Sequence, residues 1–267
     1  MGETIATLDQ HLGTAAKLHR VLREGGLLEE ALQWPIDDPE FRSGLIAYWN
    51  TRGRSIEPVE ETESQQRARA IMGKGFLGLN DAQQHFGIVF DDDQLQKLAE
   101  IPFDEATLQA CRDTHSLFPG FPLSVLDIRQ RSRRRGEKLF YSDKDAWYNG
   151  EEFARDEKVG LRWYLVRKDI IKDSTSKTFQ EQTTLLPDTE ETPRACELVY
   201  MIMLTYLAKG VRLFEKIYAR CVDRSSGGSR VYVGFFDSDG LDVSSWTDGY
   251  RDGSIGLAAS RKLNLES

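Results

Sequence analysis

The chain has 267 residues, 40% of them hydrophobic and 10% aromatic, enough to fill a real core in one large domain or two small ones. A formal charge of -8 and a pI near 5.2 repel nucleic-acid phosphate and anionic lipid on average, so binding to either requires a concentrated basic patch. Cys111, Cys196 and Cys221 are odd in number, widely spaced and form no CxxC, which argues against a disulfide framework or structural zinc and for buried, reduced thiols.

The opening MGETIATLDQHLG carries acid where a secretion signal needs base, and Ala6 stands where myristoylation needs a hydroxyl. The most apolar run, Val199 to Ala208, is too short to cross a bilayer. No membrane insertion and a cytoplasmic location are therefore expected. Leu8, Leu12, Ala15, Leu18 and Leu22 recur at helical spacing and predict a first helix ending at Gly25-Gly26. Asp38 and Pro39 predict the start of a second, carrying Phe41, Leu45, Ile46 and Trp49. RSIEPVEETESQQ, residues 54–66, reads as a linker or solvated helix start.

LNDAQQHFG, DDDQLQKLAEI and FDEATLQACRD then predict three short helices, each opened by Asn or Asp accepting free first-turn amides. Asp91-Asp92-Asp93 reads first as such a cap and second as a metal site. The period changes at His115. LSVLDIR and KLFYS read as strands, so QRSRRRGE between them predicts a hairpin with a basic turn. DAWYNGEEFARDE predicts a helix burying Ala146, Trp147, Phe153 and Ala154. LRWYLVRKDII predicts a buried strand. TSKTFQEQTTLL and TPRACELVYMIMLTYLAKG predict two helices, the second with Thr192 as cap, Pro193 in its first turn and Gly210 as its stop. IYARCVD, RVYVGFF, LDVSSW and IGLAASRKL complete the strands, the first two joined at Gly227-Gly228. The expectation is an α+β protein: an N-terminal helical region (1–66), a short-helix block (67–114) and an α+β domain with a mainly antiparallel sheet (115–267).

No segment supplies a catalytic constellation, and no catalytic residue, metal ligand or cofactor is assigned. His11 and His19 read as surface residues. CRDTH places Cys111 near His115, but such groups ordinarily meet through folding, and a structural helix-to-strand junction is the first reading. Asp237, Asp239 and Asp242 invite calcium, yet Leu241, Gly240 and Asp248 break the EF-hand pattern, leaving a solvated acidic loop as the first reading. Arg129, Arg131, Arg133, Arg134, Arg135 and Lys138 are the basic concentration of an acidic chain. They form either a solvated turn or a phosphate-binding tip for an acidic partner, with Arg131, Arg133, Arg134 and Arg135 as the phosphate ligands.

Residues 235–254 contain five Asp, four Ser and three Gly interrupted by Phe235, Phe236, Trp246 and Tyr250. Rigid aromatics among adaptable polar groups are the composition of a recognition loop. SIGLAASRKL resembles the closing strand of C-type-lectin-like domains, and Trp246-Thr247-Asp248 resembles their Trp-Asn-Asp motif. The order WYNGEEFA, LRWYLV, STSKTFQEQ, YARC, a polar loop and GLAASRK is similar to an uncharacterised bacterial group laid out like the variable proteins of diversity-generating retroelements. That resemblance implies a helical N-terminal region followed by a C-type-lectin-like domain that binds an unidentified protein or other macromolecule without catalysis. It also implies contact residues Phe236, Asp237, Asp239, Asp242, Ser244, Ser245, Trp246, Asp248, Tyr250, Asp252 and Ser254, with Trp246 and Tyr250 as rigid anchors, Thr247 in the diversifiable set and Trp246 itself held in the frame. A disulfide of the animal-lectin kind and a Glu-Pro-Asn tripeptide are missing, so calcium-dependent sugar binding is not implied. The alternative is a nucleic-acid-associated or phage-defence protein that grips phosphate through Arg129–Lys138.

Overall fold

The computed structural model describes residues 58–133 and 137–263. The two helices expected before residue 54 lie outside them, as do Arg134 and Arg135.

Local capping chemistry sets the helical block. Helix α1, Glu63–Met72, starts where the Thr62 hydroxyl accepts the Gln65 amide and the Gln65 side chain accepts that of Thr62. Of the stretch 54–66, the described residues 58–62 are non-helical and 63–66 form the start of α1, while 54–57 lie outside the described residues. Helix α2, Leu79–Phe86, begins at Gly78, whose amide donates to Asp81. Asp91 caps α3, Asp92–Lys97, by accepting the Gln94 amide, and Asp104 caps α4, Glu105–Cys111, by accepting that of Thr107. The Asp91-Asp92-Asp93 run is therefore a cap.

Strand β1, His115–Pro119, follows directly. The expected basic hairpin does not form. Ser124 makes a reciprocal cap with Asp127 and starts helix α5, Val125–Arg131, which buries Val125 and Ile128 three apart. An apolar run too short to distinguish strand from helix by period has gone with its cap. Lys138–Ser142 contributes a single bridge, Phe140 to Leu241. The stretch read as one helix after residue 144 is a 3₁₀ turn, Trp147–Gly150, followed by helix α6, Glu152–Arg155. Ala146, Phe153 and Ala154 are buried as expected, whereas Trp147 stays exposed.

Next come strand β2, Trp163–Arg167, helix α7, Phe179–Thr183, strand β3, Glu190–Glu191, and helix α8, Ala195–Lys209. The cap of α8 is Arg194 rather than Thr192. Its first amide is taken by the Asp223 carboxylate at 2.5 Å, and it ends on Gly210 at φ 68°. Leu198 to Leu204 are buried on every side of the helix, as a central helix requires. The remaining strands are β4, Tyr218–Arg224, β5, Arg230–Asp237, β6, Gly240–Trp246, β7, Ile255–Leu257, and β8, Ser260–Arg261.

Two open four-stranded sheets result, ordered β1-β2-β8-β3 and β6-β5-β4-β7. All pairs are antiparallel except β4 with β7. The α+β class and mainly antiparallel pairing agree with the sequence. Helix α8 packs against α2, α5, β4 and β5. One hydrophobic cluster joins Met72 and Phe86 of the helical block to Trp163, Tyr200 and Val233, so the change at residue 115 is one of secondary structure within a shared core. The Trp163 indole donates to the Leu98 carbonyl at 2.8 Å and ties the two parts together. Among the described residues, no helix is long and apolar enough to cross a membrane.

Candidate functional site

Strand parity builds the site. On β5 and β6, Val231, Val233, Leu241 and Val243 are buried toward α8, and Ala219 and Cys221 do the same on β4. The opposite face carries Tyr218 and Arg220 on β4, Arg230 and Tyr232 on β5, and Asp242, Ser244 and Trp246 on β6. Across β5 and β6, Arg230 pairs with Trp246, Tyr232 with Ser244 and Gly234 with Asp242.

Part of this outer face is roofed. Arg220 is fully buried beneath the 174–186 segment and the loop that follows β6. Its guanidinium donates to the carbonyls of Lys177 and Tyr250 and to Gln182 Oε1, at 3.0, 2.5 and 2.9 Å. The Phe179 ring lies 3.8 Å from the Arg230 guanidinium, and Asp248 bridges Arg230 and Arg224. Burial pushes the Asp248 carboxyl up, but the bonds and charges of Arg230 and Arg224 hold it below the usual carboxylate range.

The rest of the face is open and aromatic. Tyr232 forms its floor, with the Tyr218 ring 4.8 Å away and Phe235 4.5 Å beyond Tyr218. The Tyr218 hydroxyl donates to Asp242 at 2.5 Å; burial first, then this bond, raise its phenol far above the ordinary value. Trp246 and Tyr250 stand 5.4 Å apart at the rim, 53% and 37% exposed. The first part of the β6 edge is covered. Leu241 exchanges main-chain bonds with Leu139 and Tyr141, and the Trp147 indole takes the Val243 carbonyl at 2.8 Å.

The candidate contact residues divide accordingly. Asp242, Ser244, Trp246 and Tyr250 share the open face or its rim. Ser245 points to the opposite face, across from Val231. Asp237 lies in the β5–β6 turn and accepts the amide of Asp239. Asp252 turns inward to the amide and hydroxyl of Ser254, at 2.7 and 2.5 Å, and accepts the Tyr250 hydroxyl.

Two expectations are overturned. Phe236 is a core residue at 0% exposure, packed on Tyr206, because a bulge at Phe235, φ 45°, breaks the alternation of β5 and exchanges inside for outside. Trp246 is not held in the frame; opposite Arg230 on the outer face, it is half exposed at the rim. Sequence reasoning also missed Tyr218, Arg220 and Tyr232. Their signal was the alternation of Tyr218 and Arg220 with Ala219 and Cys221 in YARC, and of Tyr232 with the valines of RVYV.

The other candidates among the described residues have partners within the protein. Arg131 donates to the Phe86 and Gly87 carbonyls at 2.9 and 3.1 Å, closing the end of α2. Arg133 holds Asp143 through two bonds and Arg129 holds Asn149, so the described arginines of this segment each have a separate partner within the protein. Asp237, Asp239 and Asp242 diverge, and among the described residues no group of three His, Cys, Asp or Glu can hold a metal. His115 is buried, its Nδ1 2.8 Å from the Thr114 hydroxyl and its Nε2 3.4 Å from Glu190. It therefore faces the Glu190–Arg167 ion pair, while burial pushes the Cys111 thiol up, away from the thiolate a nucleophile requires. Cys196 and Cys221 are likewise free, buried and raised by burial.

The class defined so far is an α+β protein with two open sheets and a roofed, aromatic outer face. No protein-family model, curated protein or solved structure matches the chain.

Proposed function

We propose that this is a non-enzymatic recognition protein, with a C-type-lectin-like frame of the kind used by variable proteins of diversity-generating retroelements. Its contact surface is the open outer face of β4–β6 and the rim of residues 246–254. The observation that carries this reading is the juxtaposition of exposed Trp246 with Tyr218, Asp242 and Ser244 on one face of the paired strands, with the exposed ring of Tyr250 5.4 Å from Trp246. Large aromatics with few rotatable bonds lose little entropy on binding, and Asp and Ser beside them provide directional hydrogen bonds. The partner is a protein or another macromolecule held by shape and hydrogen-bond complementarity.

Genomic sequencing tests the reading. A near-copy of the codons for residues 231–263, differing mainly at adenines and lying beside a reverse-transcriptase gene, is expected. A locus with neither copy nor reverse transcriptase ends the diversification reading. Binding at this face then has to be tested by loss of a captured partner in Trp246→Ser and Tyr250→Ser proteins.

A further inference from the structure

Residues 246–254 adopt their course without any left-handed residue. Positive φ among the described residues falls at Asp173, Ser176, Phe214 and Phe235 and at glycines 73, 87, 210, 228 and 240, none of them in this loop. Gly249 and Gly253 are therefore not required by backbone conformation. A Cβ at Gly249 would meet nothing within 4 Å, and one at Gly253 would meet only the Ser176 hydroxyl at 3.8 Å. The flanking glycines differ sharply. A Cβ at Gly234 would lie 2.0 Å from the Ile217 carbonyl, one at Gly240 2.6 Å from Phe140 main chain, and one at Gly256 2.4 Å from Ile170.

What holds the loop is its main chain. The Asp248 carbonyl accepts the Phe179 amide at 2.9 Å, that of Tyr250 accepts Arg220 at 2.5 Å, that of Asp252 accepts the Ser176 amide at 2.8 Å, and that of Ser254 accepts the Tyr218 amide at 2.8 Å. Alternate residues are thus clamped through a group every amino acid carries. Two side chains also serve the clamp: Asp248 through Arg224 and Arg230, and Asp252 through Ser254. Trp246, Thr247, Gly249, Tyr250 and Arg251 are exposed. Of these, Arg251 meets Glu181 in an exposed ion pair, and Tyr250 lends its hydroxyl to Asp252.

We propose that residues 246–254 are a substitution-tolerant specificity loop in which Arg220 is the positioning residue and the side chains at 246, 247, 249, 250 and 251 are exchangeable determinants. The assignment rests on the recognition reading above and deepens it. Asp248 and Asp252, which the resemblance offers as contact residues, belong to the clamp.

Amide hydrogen exchange tests this without a ligand, because the Ser176, Phe179 and Tyr218 amides are protected by loop carbonyls. A protein carrying Trp246→Ser, Thr247→Ala, Gly249→Ala, Tyr250→Ser and Arg251→Ala together is expected to fold and to exchange at these three amides within about threefold of the parent. Arg220→Lys keeps a charge but loses the fork. It is expected to speed exchange at Ser176 and Phe179 by about tenfold or more while leaving Val233 on β5 unchanged. If the fivefold variant unfolds or loses protection at these amides, or if Arg220→Lys leaves them protected, the proposal is overturned. A locus without a template leaves these exchange rates untouched, so the two readings fail separately.

Discussion

The Glu190 carboxylate on β3 is 3% exposed between His115 of β1 and Arg167 of β2, with Arg167 donating at 2.7 and 2.8 Å. Burial pushes this carboxyl up, but the contacts to His115 and Arg167 more than offset it and bring the carboxyl from 4.5 down to about 2. The difference, 4.5 minus 2, at about 1.4 kcal/mol per unit corresponds to about 3 kcal/mol of folding stability. A depressed carboxylate contributes that stability in full above its unfolded value and loses it as pH falls through the folded one. The loss therefore falls between about pH 4.5 and 2. Glu190→Gln removes the titration and leaves Arg167 unpaired, so the variant is less stable than the parent at pH 7 by about 3–5 kcal/mol. Urea unfolding of both proteins at stepped pH should show their gap narrowing by about 3 kcal/mol across the window. Other carboxylates titrate in both proteins and cancel in the difference. A gap that stays constant from neutral pH to pH 2 refutes the assignment of acid lability to this cluster.

Glycine replacements separate the loop from its frame: Gly249→Ala is expected to raise stability by about 0.4–1 kcal/mol in thermal unfolding, by restricting the unfolded chain. Gly234→Ala, which sets a methyl against the Ile217 carbonyl, should lower it by about 2 kcal/mol or more. Asp242→Ala should bring the Tyr218 phenol down toward its ordinary value, since burial remains but the acceptor is gone; ultraviolet absorbance titration reads the change. Arg131→Ala should cost about 1.5–3 kcal/mol in urea unfolding through the lost bonds to Phe86 and Gly87. A change under about 0.5 kcal/mol would remove its structural role.

Many of the helix starts were legible because capping is written in a few adjacent residues: Asp91, Asp104 and Thr178 each sit directly before the helix they start. The α5 segment was misread because a seven-residue apolar run carries less information than the Ser124–Asp127 cap at its start. The polar-aromatic loop was legible by composition, but its division into rim and clamp was not. That division depends on carbonyl acceptors, and a carbonyl leaves no trace in residue type. Arg220 was invisible for the converse reason: a buried arginine is justified only by the three acceptors that converge on it, and these lie 30 to 43 residues away.

The position of β8 between β2 and β3 has a consequence for biosynthesis. Ser260 pairs with both Val166 and Glu191, so β3 has no place in its sheet until translation has passed Arg261. A frameshift or stop codon anywhere in 246–254 removes the strand that joins the two, and the nascent product cannot complete the sheet. Missense changes in the same codons leave that strand intact.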